Sequence, residues 1–208
     1  MITKRMREVV ARATVRLPGK GGQGVLVGGN YILTAAHCVE HVCTGAMVLG
    51  DYFIERISAG RKKYKVAPLA VEPVSDIAVL GPLDNQEFLH EVERYEAFCQ
   101  AIKPLVLCRD EFPLRKAFRV HIRTHKGGWL AGSARVFCER SCMLVLEPDG
   151  KIESGTSGGP VVNDRGELVG IVSWSTEGSC GLGGKYQGSA SRPHLTLPAW
   201  VLLEIPAP

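Results

Sequence analysis

Apolar and polar residues alternate in short runs along most of the chain, and each run stops within a few residues at glycine, proline, asparagine or aspartate. Period-two patterning between turn residues predicts strands over residues 12–17, 25–27, 31–34, 46–49, 53–58, 65–71, 77–80, 118–123, 133–137, 143–146, 160–162 and 168–174, after a short polar start. Residues 18–24 form a glycine-rich turn, and Gly28-Gly-Asn30 joins two strands as a hairpin. One stretch departs from this rhythm. Between Asp84 and Ile102, Phe88, Val92, Tyr95, Phe98, Cys99 and Ile102 recur at helical spacing behind the capping pair Asp84 and Glu87, and Pro104 ends the run. The pattern predicts an all-β domain, a sandwich or a barrel, with one inserted amphipathic helix that covers a barrel edge or fills the connection between two halves.

A chain of 208 residues can bury a substantial core as one large unit or two closely packed small ones. Its 24 glycines and 12 prolines suit many tight turns and argue against a helical bundle. The net charge of +4 is spread between Lys4, Arg5 and Arg7 and the run Arg61-Lys62-Lys63, which reads as a solvated face and not as a nucleic-acid site. The N-terminus lacks the apolar run of a signal peptide and no segment reaches membrane-span length, so no membrane association and no export are expected. Seven cysteines, at positions 38, 43, 99, 108, 138, 142 and 180, leave at least one unpaired; with no export signal, reduced thiols and a cytoplasmic location follow. Cys38 with Cys43 and Cys138 with Cys142 match zinc-ligand spacing loosely, and no metal or other cofactor is expected.

Three local contexts carry chemistry. Acyl transfer through serine needs a hydroxyl on a sharp glycine-rich turn, an imidazole to take its proton and a buried carboxylate to fix the tautomer of that imidazole. Glu153-Ser-Gly-Thr-Ser-Gly-Gly-Pro160 places Ser157 between glycines, where the N–H groups of Gly155 and Ser157 can form an oxyanion hole. Tyr31-Ile-Leu-Thr-Ala-Ala-His-Cys38 places His37 after an apolar strand on a run of small residues, a context that His41, His121 and His125 lack. Val74-Ser-Asp-Ile-Ala-Val-Leu80 sets Asp76 at the head of an apolar strand, where a charge needs a partner such as imidazole.

The order His, Asp, Ser in Leu33-Thr-Ala-Ala-His-Cys38, Asp76-Ile-Ala-Val-Leu80 and Gly155-Thr-Ser-Gly-Gly-Pro160 resembles the trypsin-like serine peptidase family from about Arg12 to Trp174. The resemblance implies a chymotrypsin-like fold of two six-stranded antiparallel β-barrels within one unit spanning 1–208. Residues 12–82 would form the barrel with His37 and Asp76, 83–104 a helical connection, and 105–208 the barrel with Ser157. It also implies a serine endopeptidase acting on protein or peptide substrates through an acyl-enzyme. Gly170-Ile-Val-Ser-Trp-Ser175 looks like the family's substrate-binding edge strand, so Ser173, Trp174 and Ser175, with Lys151 and Ile152, would flank the specificity pocket.

The same resemblance exposes departures. Thr156 stands where trypsin-like zymogens carry an aspartate, and no activation junction of the Ile-Val-Gly-Gly type is present, which points toward bacterial, HtrA-like members that need no such cleavage. The disulfide partner expected for Cys38 in 23–27 is missing, and Cys180 faces Glu153 where its partner would stand. Lys151 replaces the pocket aspartate of trypsin, arguing against an Arg or Lys preference, with Glu153 and Glu177 both candidates to neutralise it. Two further readings stay open beside the endopeptidase: a catalytically idle domain that binds peptides, and an enzyme gated by a regulatory protein partner on the 84–102 helix.

Overall fold

The computed structural model describes residues 2–41, 48–49, 53–83, 88–137, 142–174 and 188–205. The first barrel is built from β1 (Thr14–Arg16), β2 (Gln23–Val27), β3 (Tyr31–Thr34), β5 (Glu55–Ala59), β6 (Lys62–Glu72) and β7 (Ile77–Gly81), with β4 (Val48–Leu49) added on β6. The long strand β6 closes the ring by serving two partners. Its first half pairs with β5 and its second with β7, and the register shifts between Pro68 and Ala70. Proline has no N–H to give to a ladder, so the strand irregularity falls where it costs least and lets the sheet turn the corner.

The second barrel closes in the order β10-β13-β12-β11-β8-β9, from β8 (Phe118–Arg123), β9 (Trp129–Val136), β10 (Met143–Pro148), β11 (Pro160–Val162), β12 (Leu168–Trp174) and β13 (Gly188–Ser191). The molecule therefore contains two closed six-stranded antiparallel β-barrels. Leu105 N–H donates to Leu26 O at 2.9 Å, and Leu107 bridges to Leu168, so the segment after the central helix runs between the barrels and is pinned to both. Leu168 and Ile171 join the apolar core of the first barrel.

The helices differ most from the sequence reading. The polar start is an α-helix, α1 (Lys4–Ala13), capped by Thr3, whose hydroxyl accepts the Met6 N–H at 3.2 Å; the strand placed at Arg12 begins at Thr14. Met6, Val9, Val10 and Ala13 form its apolar stripe, with Val10 and Ala13 buried, at spacing that the surrounding charges obscure. The inserted helix α2 spans Leu89–Ala101; Asp84 and Glu87 lie outside the described residues. It lies on β6 with Tyr95, Phe98 and Cys99 buried, and Tyr95 Oη donates to Asn30 O at 2.6 Å. Two short helices not foreseen, α3 (Pro193–Thr196) and α4 (Ala199–Glu204), follow the last strand, and Arg109 donates to the carbonyls of Leu202 and Ile205 at the end of α4. Strand β13 was also missed, because Gly188-Ser-Ala-Ser191 carries no apolar alternation; the free edges of β10 and β12 make it a strand.

Candidate active site

Strands β3 and β7 pair antiparallel, with Thr34 opposite Ala78, and the same register carried two residues further brings the Ala36-His37 turn beside Asp76. Ala35 and Ala36 are fully buried, and a bulkier pair there would hold the turn away from the strand. Asp76 has φ 53°, a left-handed conformation that aspartate tolerates better than most residues, and it turns the carboxylate toward His37. His37 Nδ1 lies 2.8 Å from Asp76 Oδ2 and 3.0 Å from Oδ1, and the His37 backbone N–H donates to Oδ1 at 3.0 Å. Ser173 Oγ, on β12 of the second barrel, donates to Oδ2 at 2.7 Å. A carboxylate only 5% exposed thus has its charge answered by three donors.

This arrangement acts on the imidazole. The hydrogen bond to Asp76 above all, then the neighbouring Cys38, raise the His37 pKa above its ordinary 6.5. With the Nδ1 proton held by Asp76, Nε2 is left to accept. His37 and Ser157 line one cleft of about 420 Å³ between the barrels, together with Ala36, His41, Pro73, Asp76, Ser173 and Trp174. Among the described residues no hydrogen bond joins Ser157 Oγ to His37; a catalytic bond of this kind is required only once substrate is in place.

The Ser157 turn is shaped by its glycines. Thr156 N–H donates to Glu153 O at 3.2 Å and Gly155 has φ 84°, the combination of a type II turn with glycine at its third position. The N–H groups of Thr156, Gly158 and Gly159 are spent on Glu153 O, Val172 O and Thr156 O, whereas those of Gly155 and Ser157 find no protein acceptor among the described residues. Gly158, at φ 73°, is wedged against the first barrel: an added Cβ would lie 2.0 Å from Gln23 O and 2.4 Å from Thr34 Oγ1. Gly158→Ala is expected to cost about 2–5 kcal/mol of stability, summing left-handed strain and overpacking, read as a fall in the urea midpoint. A midpoint within error of the wild type would show that the turn yields.

A clasp of side chains holds this turn from behind. The Gln23 N–H donates to Ser157 O at 2.7 Å, its Nε2 reaches Thr156 O and Arg123 O at 3.4 Å each, and its Oε1 accepts from Arg123 Nη1 at 3.2 Å. The fully buried Thr156 hydroxyl accepts the His125 N–H at 3.4 Å, and Arg16 donates to His125 O at 3.1 Å. Neutral hydrogen bonds on Thr156 thus stand where the zymogen family uses an ion pair. Gln23 is not marked by sequence, since nothing local identifies a residue whose partners lie a hundred or more positions away, and His125, set aside there as a base, supports the turn instead. His41 is likewise brought into the cleft, its Nδ1 donating to Val39 O at 3.2 Å.

The pocket residues inferred from the resemblance are scattered. Trp174 is 60% exposed at the cleft, and Ser173 lines it while spending its hydroxyl on Asp76. Lys151 is exposed and Ile152 is buried in the core of the second barrel, neither lining the cleft; Ser175, Glu177 and Cys180 lie outside the described residues. Glu153 is ion-paired with Lys126 at 2.7 Å, which lowers its pKa. His121, 2% exposed, is held by Asp164 at 2.8 Å, away from the cleft.

Cys38, Cys99, Cys108 and Cys142 are free thiols, while Cys43 and Cys138 of the loose zinc spacing lie outside the described residues. Cys38 packs against Gly22, where a Cβ would come within 2.5 Å of its sulfur. Cys108, Asp110 and Glu167 converge in the second barrel, where the single Arg165 guanidinium pairs with both carboxylates and offsets one of their two charges.

Comparison with known proteins agrees with this architecture. The family model of the trypsin-like peptidase domain matches residues 22–171. No curated protein matches the chain in sequence. Among solved structures, the active form of the Rv3671c protease from M. tuberculosis is 18% identical over 98% of this chain and 85% of its own, with a TM-score of 0.59. Its inactive form, also 18% identical, covers 98% and 93% with a TM-score of 0.58. The serine endoprotease from Yersinia pestis, 18% identical, covers 94% and 64% with a TM-score of 0.59. These three structures, of two bacterial proteases, share the fold of this chain.

Proposed function

The chain belongs to the trypsin-like peptidase family, and from that premise we propose that it is a serine endopeptidase working through His37, Asp76 and Ser157. The observation that carries the reading is the buried Asp76 carboxylate, fixed by His37 and by Ser173 across the barrel interface, in a cleft that also holds Ser157. Ser157 Oγ attacks the scissile carbonyl, and His37 Nε2 takes its proton and then delivers it to the leaving amine. Asp76 keeps the Nδ1 proton in place and stabilises the imidazolium that forms. The negative oxygen of the tetrahedral intermediate is received by the N–H groups of Gly155 and Ser157. A type II turn already held by Gln23 and Thr156 supports a hole that needs no cleaved N-terminus. The exposed Trp174 at the end of β12 supports an edge that pairs with an extended peptide.

Among the described residues, four free thiols, three of them buried, support a reducing compartment such as the cytoplasm. A biotinylated fluorophosphonate tests the enzyme directly: the wild-type protein is expected to take up one label, mapped by mass spectrometry to Ser157. A folded protein that takes no label, yet binds an extended peptide, would favour the idle binding module. Label on another residue would overturn the assignment of the nucleophile.

A further inference from the structure

Remote from the cleft by composition, sharing none of its lining residues, a groove of about 650 Å³ runs between α1, the β5–β6 hairpin and α2. It continues past Tyr64 and Arg94 into a second hollow of about 550 Å³. Its floor is apolar and small: Tyr64 and Phe98, in contact with ring centroids 4.8 Å apart and planes tilted by 31°, line it together with the small side chains of Ala11, Ala97 and Ala101. Its rim is cationic. Arg12 stands on α1, Arg56, Arg61, Lys62 and Lys63 on the hairpin, and Arg94 on α2. Glu91 is the one acid among the described lining residues, and Lys65 engages it at 2.6 Å. None of the six rim cations is ion-paired with a carboxylate among the described residues, although the whole chain carries a net charge of only +4.

This concentration is imposed by the fold. Gly60, at φ 60°, makes the tight turn that lays Arg61, Lys62 and Lys63 along the hairpin, and Arg94 is drawn over them, donating to Lys63 O at 3.3 Å with its guanidinium 6.0 Å from the Tyr64 ring centre. Charges of one sign brought this close repel one another, and an anionic partner relieves that repulsion.

We propose that this groove is a docking site for an acidic polypeptide segment of a partner protein that bears an apolar anchor residue. Carboxylates would meet the rim cations while the anchor covers the alanine-lined floor. A nucleic acid fits less well, because Tyr64 and Phe98 are only 9% and 7% exposed and offer no free ring face for a base to stack on. A membrane surface fits less well too, since the cations rim a concavity. The reading stands independently of the triad, and its test involves no catalysis.

The test uses the full chain carrying Ser157→Ala, which cannot consume the probe, and a fluorescent synthetic peptide of alternating glutamate and leucine read by anisotropy. Binding is expected to weaken with added salt and to fall about tenfold or more in Lys62→Glu/Arg94→Glu. It should change less than about twofold in Lys116→Glu/Arg119→Glu, an equally charged pair of changes on the second barrel. Circular dichroism checks that both variants fold, and Arg61→Gln/Lys63→Gln replaces the first should it not; that milder pair is expected to weaken binding several-fold. No binding, equal loss in the groove and control variants, or tighter binding of single-stranded RNA or of phosphatidylserine vesicles would overturn the proposal.

Discussion

Ser157→Ala is expected to reduce kcat on a peptide substrate by about 10⁶, the scale seen when a triad nucleophile is removed, while leaving the fold intact. The effect should fall on chemistry because Ser157 Oγ makes no hydrogen bond among the described residues, whereas the backbone bonds that hold the turn, Gln23 N–H to Ser157 O and Gly158 N–H to Val172 O, survive the change. Gly155 and Ser157 would still present their N–H groups, so residual hydrolysis above the uncatalysed rate should remain, on the order of 10³–10⁴. Steady-state hydrolysis with a parallel thermal melt decides it. A variant that retains a rate within about tenfold of the wild type would place the nucleophile elsewhere.

Asp76→Asn is the second large effect, a loss of about 10⁴ in kcat with little change in structure. Asp76 accepts from the His37 N–H, from His37 Nδ1 and from Ser173 Oγ, all with acceptor-only oxygens. An amide presents one oxygen and one NH₂. If the NH₂ faces Nδ1, it drives the imidazole proton to Nε2, where it blocks acceptance from Ser157. The pH dependence separates this from simple misfolding. His37 must be neutral to act as a base, and Asp76 raises its pKa above 6.5, so wild-type kcat/KM should still be climbing with pH above 6.5. In Asp76→Asn the dominant cause of that elevation is gone, and the acid limb of the residual rate should move down toward 6.5. The linkage to stability has a definite sign as well. A raised folded-state pKa contributes stability that is complete below the unfolded value of 6.5 and is lost as pH rises through the folded one, so the variant should show a flatter stability profile above 6.5. An unchanged acid limb would remove Asp76 from its assigned role.

The way the Ser157 turn is held also bears on how the proposed activity would be controlled. Thr156 is buried under His125 and tied through Gln23 to the first barrel, so the turn is held by contacts among residues 23–156. A partner docked in the proposed site would touch α2, which rests on β6 of the barrel that carries His37 and Asp76 and is also one wall of the basic groove.

Sequence alone determined the features that are decided within a few neighbouring residues. Alternation fixed most of the strands, Gly155 and Gly158 marked the turn around Ser157, and small residues before His37 together with an acid heading an apolar strand marked the other two side chains of the cleft. Each depends on backbone freedom or side-chain size that the local window already contains. Only the tertiary structure decided what depends on barrel closure. Gly188–Ser191 became a strand because two edges needed a partner, and Ser173 became a donor to Asp76 once β12 met the first barrel. Gln23 became the clasp of a turn more than a hundred residues away, and the cations of three separate segments met around one groove. Such contacts join residues whose separation along the chain carries no periodic trace, so their positions follow from the packing of the whole and not from any stretch of it.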